Sequence, residues 1–185
     1  MVRRPPITLD SARRGDRDAL AELWRTYQAP LLRYLRARRT QSPDDVASLV
    51  WVDIARAIDR FEGGDEDFRR WLFTIAHRRS VDEIRRSVRR SGLAVRAADH
   101  AVGADVEHDR HGALDRAIAL VSTLPDNLGE AVMLRVVNDL PIADVAAVMG
   151  TTEGNVRVLV HRGLTSLRRK MSVTDGAPRT MKSVT

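Results

Sequence analysis

A row of basic and polar side chains near the end of the chain carries its clearest chemical signal. At helical spacing, the residues that point away from an apolar face are Arg157, Val158, His161, Arg162, Thr165 and Arg168. Guanidinium groups pair bidentately with guanine, and a helix with such a face fits the major groove of duplex DNA. The pattern therefore predicts a helix that reads double-stranded DNA.

Two short helices must hold this face in place. The first ends at Gly150, where a left-handed turn residue is needed, and Thr151 and Thr152 are available to cap the second. The apolar stripes are Ile142, Val145, Ala146 and Met149 on the first helix, and Val156, Leu159, Val160, Gly163, Leu164 and Leu167 on the second. This arrangement predicts a helix-turn-helix. The alternative is an ordinary helical hairpin whose arginines are only solvated.

The composition limits the class of protein. Lys and Arg number 31 against 25 Asp and Glu, a net charge of +6, which points to a polyanionic partner without identifying it. Cysteine is absent, which excludes disulfides, thiolate metal sites and cysteine redox sensing within this chain. No apolar run approaches the roughly 20 residues that span a bilayer. We therefore expect a cytoplasmic protein without direct membrane insertion.

Charge and composition divide the chain into unequal parts. Acidic residues outnumber basic ones only in the middle, which is rich in small residues and has no sustained helical stripe. The pattern predicts an all-α protein of two small helical domains, residues 8–91 and 113–171, joined by a flexible acidic linker at 92–112. Residues 172–185 are expected to form a disordered tail.

Three helices are predicted in the first half. They cover residues 16–39 with a kink at Pro30, a segment that restarts with Ser42 as N-cap and Pro43 in the first turn, and about 67–90. Their apolar stripes are Leu20, Leu23, Trp24, Tyr27, Leu31 and Leu35, then Val46, Leu49, Val50, Ile54 and Ile58, then Phe68, Trp71, Leu72 and Ile75. All eight aromatic residues lie in this half, so only this half offers aromatic stacking to unpaired bases. Most of them, Trp71 included, are expected in the core.

These segments resemble the small, two-domain, ECF-type sigma factors of bacterial RNA polymerase. SPDDVASLVWVDIARAIDRF and FRRWLFTIAHRRSVDEIRR resemble sigma region 2, which assigns it to residues 8–91. VSTLP, followed by EAVMLRVVNDLPIADVAAVMGTTEGNVRVLVHRGLTSLR, resembles sigma region 4, which assigns it to residues 113–171. The resemblance implies a non-catalytic subunit that binds core RNA polymerase, recognises promoter DNA and helps to open it. It implies no cofactor and no metal.

For the minus-thirty-five element, the resemblance implies that the second helix of the helix-turn-helix enters the major groove. The residues expected to contact this DNA are Thr152, Asn155, Arg157, Val158, His161, Arg162 and Arg168. Arg157 and Arg162 should set specificity, since a bidentate pair with guanine discriminates by roughly 1 to 3 kcal/mol. Arg168 and Arg169 should meet phosphate. Val158-Leu159 replaces a common Ser-Arg pair, so the promoter sequence does not transfer from relatives.

For the minus-ten element, the resemblance implies that a loop at residues 62–67 and the basic helix after it capture a base flipped from the melted strand. The residues expected to take part are Glu62, Asp65, Asp67, Arg69, Arg78, Arg79, Arg85 and Arg86. Extrusion of a base costs a few kcal/mol, which stacking and phosphate contacts must offset. The carboxylates of Asp65, Glu66 and Asp67 would either accept hydrogen bonds from base edges or cap the next helix.

The helix from Asp44 to Phe61 is where the family docks onto the clamp helices of the largest polymerase subunit. The docking residues expected here are Asp44, Asp45, Ser48, Leu49, Val52 and Asp53. Family members commonly carry a Gln-Glu pair where this chain has Ser48-Leu49, so a usual polar contact is missing. No sensor domain accompanies the two nucleic-acid surfaces, and the resemblance implies control by a separate anti-sigma factor.

The linker suggests two further hypotheses. Its acidic residues Asp99, Asp105, Glu107 and Asp109 either mimic nascent RNA in the basic channel of the polymerase or only solubilise a tether. Its histidines His100, His108 and His111 raise the alternative of a metal-dependent enzyme or metal sensor, although a glycine-containing, unpatterned segment does not fix ligand geometry. The remaining alternative is a stand-alone helix-turn-helix repressor, which would bind duplex as a symmetric dimer without polymerase.

Overall fold

The computed structural model describes residues 9–92 and 112–175, and every regular element in these two ranges is helical. The N-terminal unit consists of α1 (Leu9–Arg13), α2 (Arg17–Ala37), α3 (Pro43–Ala57) and α4 (Asp65–Gly92). The C-terminal unit consists of α5 (Gly112–Ser122), α6 (Asp126–Val132), α7 (Ile142–Met149) and α8 (Glu153–Asp175). A 3-10 turn follows α3 and a π-helical turn follows α6. The all-α prediction is confirmed.

Several expectations from sequence fall on chain that the structure does not describe. They are the acidic RNA mimic and the histidine cluster, both within residues 93–111, and the end of the expected tail. Among the described helices, none is long and apolar enough to cross a membrane. At the C-terminal end, α8 continues past residue 171 to Asp175. The first residues of the predicted tail, 172–175, are therefore helical.

The helices of the N-terminal unit begin where local chemistry favours a start, with two departures from expectation. Asp16 caps α2 by accepting hydrogen bonds from two backbone N–H groups, and α2 then continues through Pro30 to Ala37. Ser42 occupies the N-cap position of α3, but its side chain makes no capping hydrogen bond. α4 begins at Asp65, inside the segment predicted as a loop, so that segment is shorter than residues 62–67.

Aromatic rings fill the centre of the N-terminal unit. Tyr34, Phe68 and Phe73 are fully buried, and a second set packs against them from the edge: Tyr27, Trp51, Phe61 and Trp71. The prediction that most aromatics belong to the core is therefore confirmed. Among the aromatic residues Trp24 is an exception, because spacing placed it on an apolar stripe but its side chain is 48% exposed. Leu49 was also placed on a stripe but is 40% exposed, because it lies at the edge of that stripe, where the helix face turns towards solvent.

In the C-terminal unit, α8 packs against α6 at very short range. A Cβ atom added at Gly163 would lie 2.6 Å from Cγ2 of Val132 and 3.3 Å from the backbone oxygen of Leu128. Only a residue without a side chain fits this crossing. The close contact fixes the rotation of α8 about its axis relative to α6.

The two units pack directly against each other. α4 lies along α7, and α2 contacts both α5 and α6. Buried apolar residues of both units belong to a single cluster, from Leu9 and Leu23 in the first to Met133 and Val156 in the second. The chain thus forms two helical units with a shared core between them.

Candidate nucleic-acid and polymerase interfaces

Backbone and side-chain hydrogen bonds fix the turn between α7 and α8. Gly150 adopts the left-handed conformation, with φ 63° and ψ 40°, as predicted for the helix end. The N–H of Thr151 bonds to the carbonyl of Ala146 at 3.0 Å, which satisfies an end carbonyl of α7. The hydroxyl of Thr152 accepts from the N–H of Asn155 at 3.2 Å and caps α8. The angle between the two helices is therefore set by the turn itself.

The outward face of α8 is exposed as the spacing predicted. Val156, Leu159 and Gly163 are buried beneath it. The exposed side chains are Arg157, Val158, His161, Arg162, Thr165 and Arg168. Such an exposed row is available to a groove of DNA. The structure thus brings the predicted minus-thirty-five residues together on one surface.

Two residues at the start of this face, Arg157 and Asn155, already have side-chain partners within the chain. Arg157 donates to the carboxylate of Glu153 at 2.8 Å, one turn earlier on α8, and both side chains are at least half exposed. Asn155 donates from its side-chain amide to the hydroxyl of Thr151 at 2.9 Å. An exposed ion pair four residues apart, such as Glu153 with Arg157, stabilises a helix by only about 0.2 to 0.5 kcal/mol. DNA can therefore replace Glu153 as the partner of Arg157.

The basic residues of α4 divide into two groups. Arg78, Arg85 and Arg86 are exposed. Arg69 and Arg79 are half-buried and bonded to protein: Arg69 donates to the backbone oxygen of Asp139 at 3.2 Å, across the boundary between the units. Only part of the predicted minus-ten set is therefore open to solvent in this conformation.

Asp53 pairs with Arg79 across the junction of α3 and α4. Nε and Nη2 of Arg79 each donate a hydrogen bond of 2.6 Å to the carboxylate of Asp53. This pairing raises the pKa of Arg79. The sequence predicted Asp53 as part of the docking surface, but its side chain is turned towards α4 and bonds to Arg79. No local signal reveals this pairing, because 26 residues separate the partners.

An open cleft of about 340 Å³ lies between α3 and α4 beside this ion pair. It is lined by Asp53, Ala57, Trp71, Ile75, Arg78, Arg79 and Asp82. Trp71 was expected in the core. It is half-buried, with one face stacked on Phe61 at a centroid distance of 4.9 Å, and it also lines the cleft. An aromatic ring and guanidinium groups around one opening are the groups that hold an unpaired base.

The acidic residues before α4 have different positions. Glu62 and Asp65 are exposed, whereas Asp67 is half-buried and accepts from the N–H of Gly64 at 3.1 Å. Asp67 also bonds to Arg70 at 2.8 Å. This carboxylate therefore caps the start of α4, which was one of the two roles expected from sequence.

The outer face of α3 presents an apolar patch flanked by charge. Leu49 and Val52, three residues apart on the helix, are 40% and 42% exposed. Asp44, Asp45 and Ser48 lie on the same exposed side, and the Ser48 hydroxyl donates to the carbonyl of Asp44 at 2.9 Å. Apart from Asp53, the predicted docking residues thus form one accessible surface.

A buried polar cluster, which the sequence did not predict, joins the two units. Glu130 on α6 accepts from the hydroxyl of Tyr34 at 2.5 Å and from Arg38 at 2.7 Å. Nδ1 of His77 lies 2.7 Å from the same carboxylate. The only hint in the sequence is a carboxylate placed within the apolar run from Leu128 to Leu134.

Opposing effects set the ionisation of this cluster. Burial by itself raises the pKa of Glu130, but the hydrogen bond with His77 and the charge of Arg38 outweigh it, so the pKa lies below its usual value. Burial also raises the pKa of Tyr34 well above its ordinary value, and the nearby Glu130 charge adds to the increase. Glu130 is therefore ionised and Tyr34 is a neutral donor at neutral pH.

Comparison with known families matches both halves of the chain. Residues 23–90 match the model of Sigma-70 region 2, and residues 114–167 match that of Sigma-70, region 4. The presence of region 2 favours a sigma factor over a stand-alone helix-turn-helix repressor. The two matched segments coincide with the N-terminal and C-terminal units of the structure.

Curated relatives and solved structures agree with this assignment. The ECF RNA polymerase sigma factor SigD of Mycobacterium tuberculosis is 31% identical over 164 residues, which cover 83% of this chain and 77% of SigD. The ECF RNA polymerase sigma factor BldN of Streptomyces coelicolor is 28% identical over 184 residues, covering 90% of this chain and 69% of BldN.

The fold also matches the sigma factor RpoE of Bartonella quintana, solved in complex with the anti-sigma factor NepR, with a TM-score of 0.67 and 20% identity. That match covers 82% of this chain and 98% of RpoE. CnrH, solved with the cytosolic domain of CnrY, matches with a TM-score of 0.63 and 21% identity over 89% of this chain and 95% of CnrH. From its two sigma regions and its similarity to SigD, the chain belongs to the ECF-type sigma factors, the promoter-specificity subunits of bacterial RNA polymerase.

Proposed function

We propose that α8 reads the minus-thirty-five element of the promoter as double-stranded DNA. The observation that carries this proposal is the exposed row from Arg157 to Arg168, held above a buried face by the capped turn at Gly150. Arg157 and Arg162 have the donors to pair with guanine, whereas Val158 can only contact a thymine methyl group. Thr152 and Asn155 lie at the helix start, where their exposed side chains can meet the DNA backbone.

At the minus-ten element, we propose that the cleft between α3 and α4 receives an unpaired base. Trp71 offers a stacking surface there, and the Asp53 carboxylate orients the guanidinium of Arg79. Arg78, Arg85 and Arg86 are exposed along the same helix and can follow the phosphates of the strand. Stacking and phosphate contacts together offset the cost of flipping the base.

The exposed face of α3 is the proposed contact with core RNA polymerase. Leu49 and Val52 form its apolar centre, and Asp44, Asp45 and Ser48 form a polar rim. Stable interfaces commonly place an apolar centre within such a rim. The Ser48 hydroxyl is satisfied within its own helix, so apolar contact has a larger part in this docking than a polar pair would.

The chain contributes binding and not catalysis in this proposal, and it acts in the cytoplasm, where polymerase and DNA are found. Control by an anti-sigma factor is proposed as well. The solved proteins with this fold, RpoE and CnrH, are in complexes, the first with a named anti-sigma factor. An inhibitor that covers the α3 face and the α8 row would block both proposed contacts at once.

Run-off transcription tests the proposed function directly. Core RNA polymerase would be combined with this protein and a pool of genomic fragments from its source organism. We expect discrete new transcripts that require the protein, and their start sites align to give the promoter sequence. Arg162→Ala should reduce these transcripts strongly, whereas Arg116→Ala, which removes the same charge from the exposed surface of α5, should not.

Two outcomes would contradict parts of the proposal. No new transcript, despite measured binding to core polymerase, would reject the chain as an active specificity subunit. Equal losses with Arg162→Ala and Arg116→Ala would show that overall charge, and not the α8 face, accounts for promoter recognition.

A further inference from the structure

The short helix α1 packs against the 3-10 turn that follows α3, close to the segment that leads into α4. Arg13, the last residue of α1, donates from Nη2 to the backbone oxygen of Gly63, 50 residues further along the chain. Nη1 of the same guanidinium pairs with Asp10 on α1 at 2.6 Å. One arginine therefore ties α1 to the backbone of the loop before α4.

The guanidinium of Arg13 also lies over an aromatic ring. Its central carbon is 5.4 Å from the ring centroid of Phe61, within the range of a cation–π contact. Phe61 in turn stacks on Trp71, with ring centroids 4.9 Å apart and ring planes 16° apart. Because Trp71 lines the cleft between α3 and α4, a continuous series of contacts runs from α1 to that cleft.

The loop at residues 62–64 is exposed but held in one shape from the side of α4 as well. Gly63 has φ 127°, a backbone conformation that favours glycine. A Cβ atom added there would lie 2.6 Å from Cβ of Asp67. The carboxylate of Asp67 accepts from the N–H of Gly64 at 3.1 Å. The 62–64 loop is thus fastened at two points, by Asp67 of α4 and by Arg13 of α1.

Such fastening matters for a loop with two adjacent glycines. Glycine loses more conformational freedom than any other residue when it is ordered, so a free loop of this kind would be ordered only at a cost when it binds. A loop that already has its bound shape avoids that cost and binds more tightly. A hydrogen bond from a charged donor such as Arg13 is stronger than one between neutral groups and suits this purpose.

We propose that Arg13 is a positioning residue for recognition of the minus-ten strand. It holds the 62–64 loop and the stacked rings of Phe61 and Trp71 in the arrangement that receives the unpaired base. Arg13 acts through Gly63 and Phe61 and not by contact with the base. This role rests on the function proposed for the cleft. It assigns to α1 a part in promoter opening.

A cycle of two changes, one in the protein and one in the DNA, tests this role. Holoenzyme is assembled from core polymerase and either the wild-type protein or Arg13→Met. Its affinity is measured for the single-stranded minus-ten sequence that the run-off start sites define. The same strand is then prepared with an abasic site at each position in turn. The position whose loss weakens wild-type binding most identifies the captured base.

We expect Arg13→Met to affect only the strand that carries the captured base. On the intact strand it should bind about tenfold more weakly than wild type, which corresponds to about 1.4 kcal/mol of lost pre-organisation. On the abasic strand the two proteins should bind within about twofold of each other, because no base remains to be positioned. Arg14→Met removes the same charge from the next, exposed residue and should match wild type on both strands.

Amide hydrogen exchange measures the order of the loop without DNA or polymerase. The N–H groups of Phe61 and Gly64 each donate a hydrogen bond within the chain. Arg13→Met should raise their exchange rates about tenfold, since the loop opens more often, and should leave exchange in α8 unchanged. Unchanged exchange in α8 also shows that the variant is folded.

A change within the loop provides a second variant. Gly63→Ala strains the backbone and brings a methyl group against Asp67, so it alters the loop without touching α1. We expect it to weaken binding to the intact strand as Arg13→Met does. The two changes together should be no worse than the more severe one alone, because both act on the same loop.

Three results would overturn the positioning role. Equal losses on the intact and abasic strands with Arg13→Met would show a general destabilisation. Wild-type affinity of Arg13→Met for the intact strand, while Gly63→Ala weakens it, would show that α1 does not hold the loop. If no abasic position weakens the wild-type protein, the proposed capture of a base fails and the positioning role fails with it. The first two results leave the proposed function intact, so the two failures are distinguishable.

Discussion

The hydroxyl of Tyr34 on α2 donates a hydrogen bond of 2.5 Å to the carboxylate of Glu130 on α6, 96 residues further along the chain. Both side chains are buried, so the contact is shielded from solvent and from its salt. Arg38, which directly follows α2, donates to the same carboxylate at 2.7 Å. A few buried polar atoms therefore join the two sigma regions, in addition to their shared apolar core.

Removal of the buried guanidinium group of Arg38 should destabilise the protein strongly. Arg38→Met keeps much of the side-chain length but leaves Glu130 with one positive partner fewer, and breaking a buried pair costs about 3 to 5 kcal/mol. Arg36→Met, on an exposed position of the same helix, should change the free energy of unfolding by less than about 0.5 kcal/mol. Urea denaturation of both variants measures the difference. Similar changes in the free energy of unfolding for Arg38→Met and Arg36→Met would show that the buried cluster contributes little to stability.

The contribution of Glu130 to stability should depend on pH in one direction. Its pKa is lower in the folded than in the unfolded chain, so its stabilising effect is present above the ordinary value of 4.5 and is lost as pH falls through the lower folded value. The groups that face it are Tyr34, Arg38 and His77. We expect the stability difference between wild type and Glu130→Gln to be largest near neutral pH and to shrink below pH 4.5. Urea titrations at several pH values measure it, and a difference that grows in acid would contradict the lowered pKa.

Two arginines of α8 should differ in how they affect promoter binding. Arg157→Ala should cost about 1 to 3 kcal/mol on the preferred minus-thirty-five sequence and relax the preference at one base pair. Arg168→Ala should weaken binding to all sequences. It should also reduce the slope of log binding constant against log salt concentration by about one. Binding of polymerase containing each variant to promoter fragments, each with one base pair changed, measures both effects. An equal loss on every sequence with Arg157→Ala would assign that residue to phosphate.

An acidic substitution on the α3 face should weaken docking onto core polymerase. Leu49→Asp places a charge at the centre of the apolar patch, and loss of a central interface residue costs more than about 1 kcal/mol, or roughly fivefold or more in affinity. Val136→Asp is the control, because Val136 is also an exposed apolar residue, at 51%, but lies on the C-terminal unit. Fluorescence anisotropy with labelled protein measures the affinity. Equal weakening by both variants would remove α3 from the proposed docking surface.

Two glycines of α8 should respond oppositely to the same substitution. Gly163→Ala places a methyl group 2.6 Å from Val132, and such overpacking costs about 1 to 3 kcal/mol. Gly154→Ala meets no atom within 4 Å and should stabilise the protein by about 0.4 to 1 kcal/mol, since it restricts the unfolded chain. Thermal unfolding measures both. Equal changes in thermal stability for Gly163→Ala and Gly154→Ala would show that α6 and α8 are further apart in solution than in the structure.

Local patterns were sufficient to predict the helix-turn-helix. The left-handed Gly150, the Thr152 cap and the exposed row from Arg157 to Arg168 all depend on residues of α7, α8 and the turn that joins them. Helical periodicity determines such features before the chain folds around them. The same reasoning located α2, α3 and α4 of the N-terminal unit, but not the short helix α1. It failed for Trp24 and Leu49, because a position on an apolar stripe is buried only if a neighbouring helix reaches it.

By itself, the sequence determined the all-α class, the positions of α2, α3, α4, α7 and α8, and the solvent-facing row of α8, since short-range spacing and capping set these. Only the tertiary structure decided that Asp53 pairs with Arg79, that Trp71 lines a cleft, and that Glu130 lies among residues of the other unit. Each of these contacts joins residues far apart in the chain or on different helices. Which residues meet in these contacts depends on how whole helices pack against each other. The periodicity within a single helix does not predict that packing.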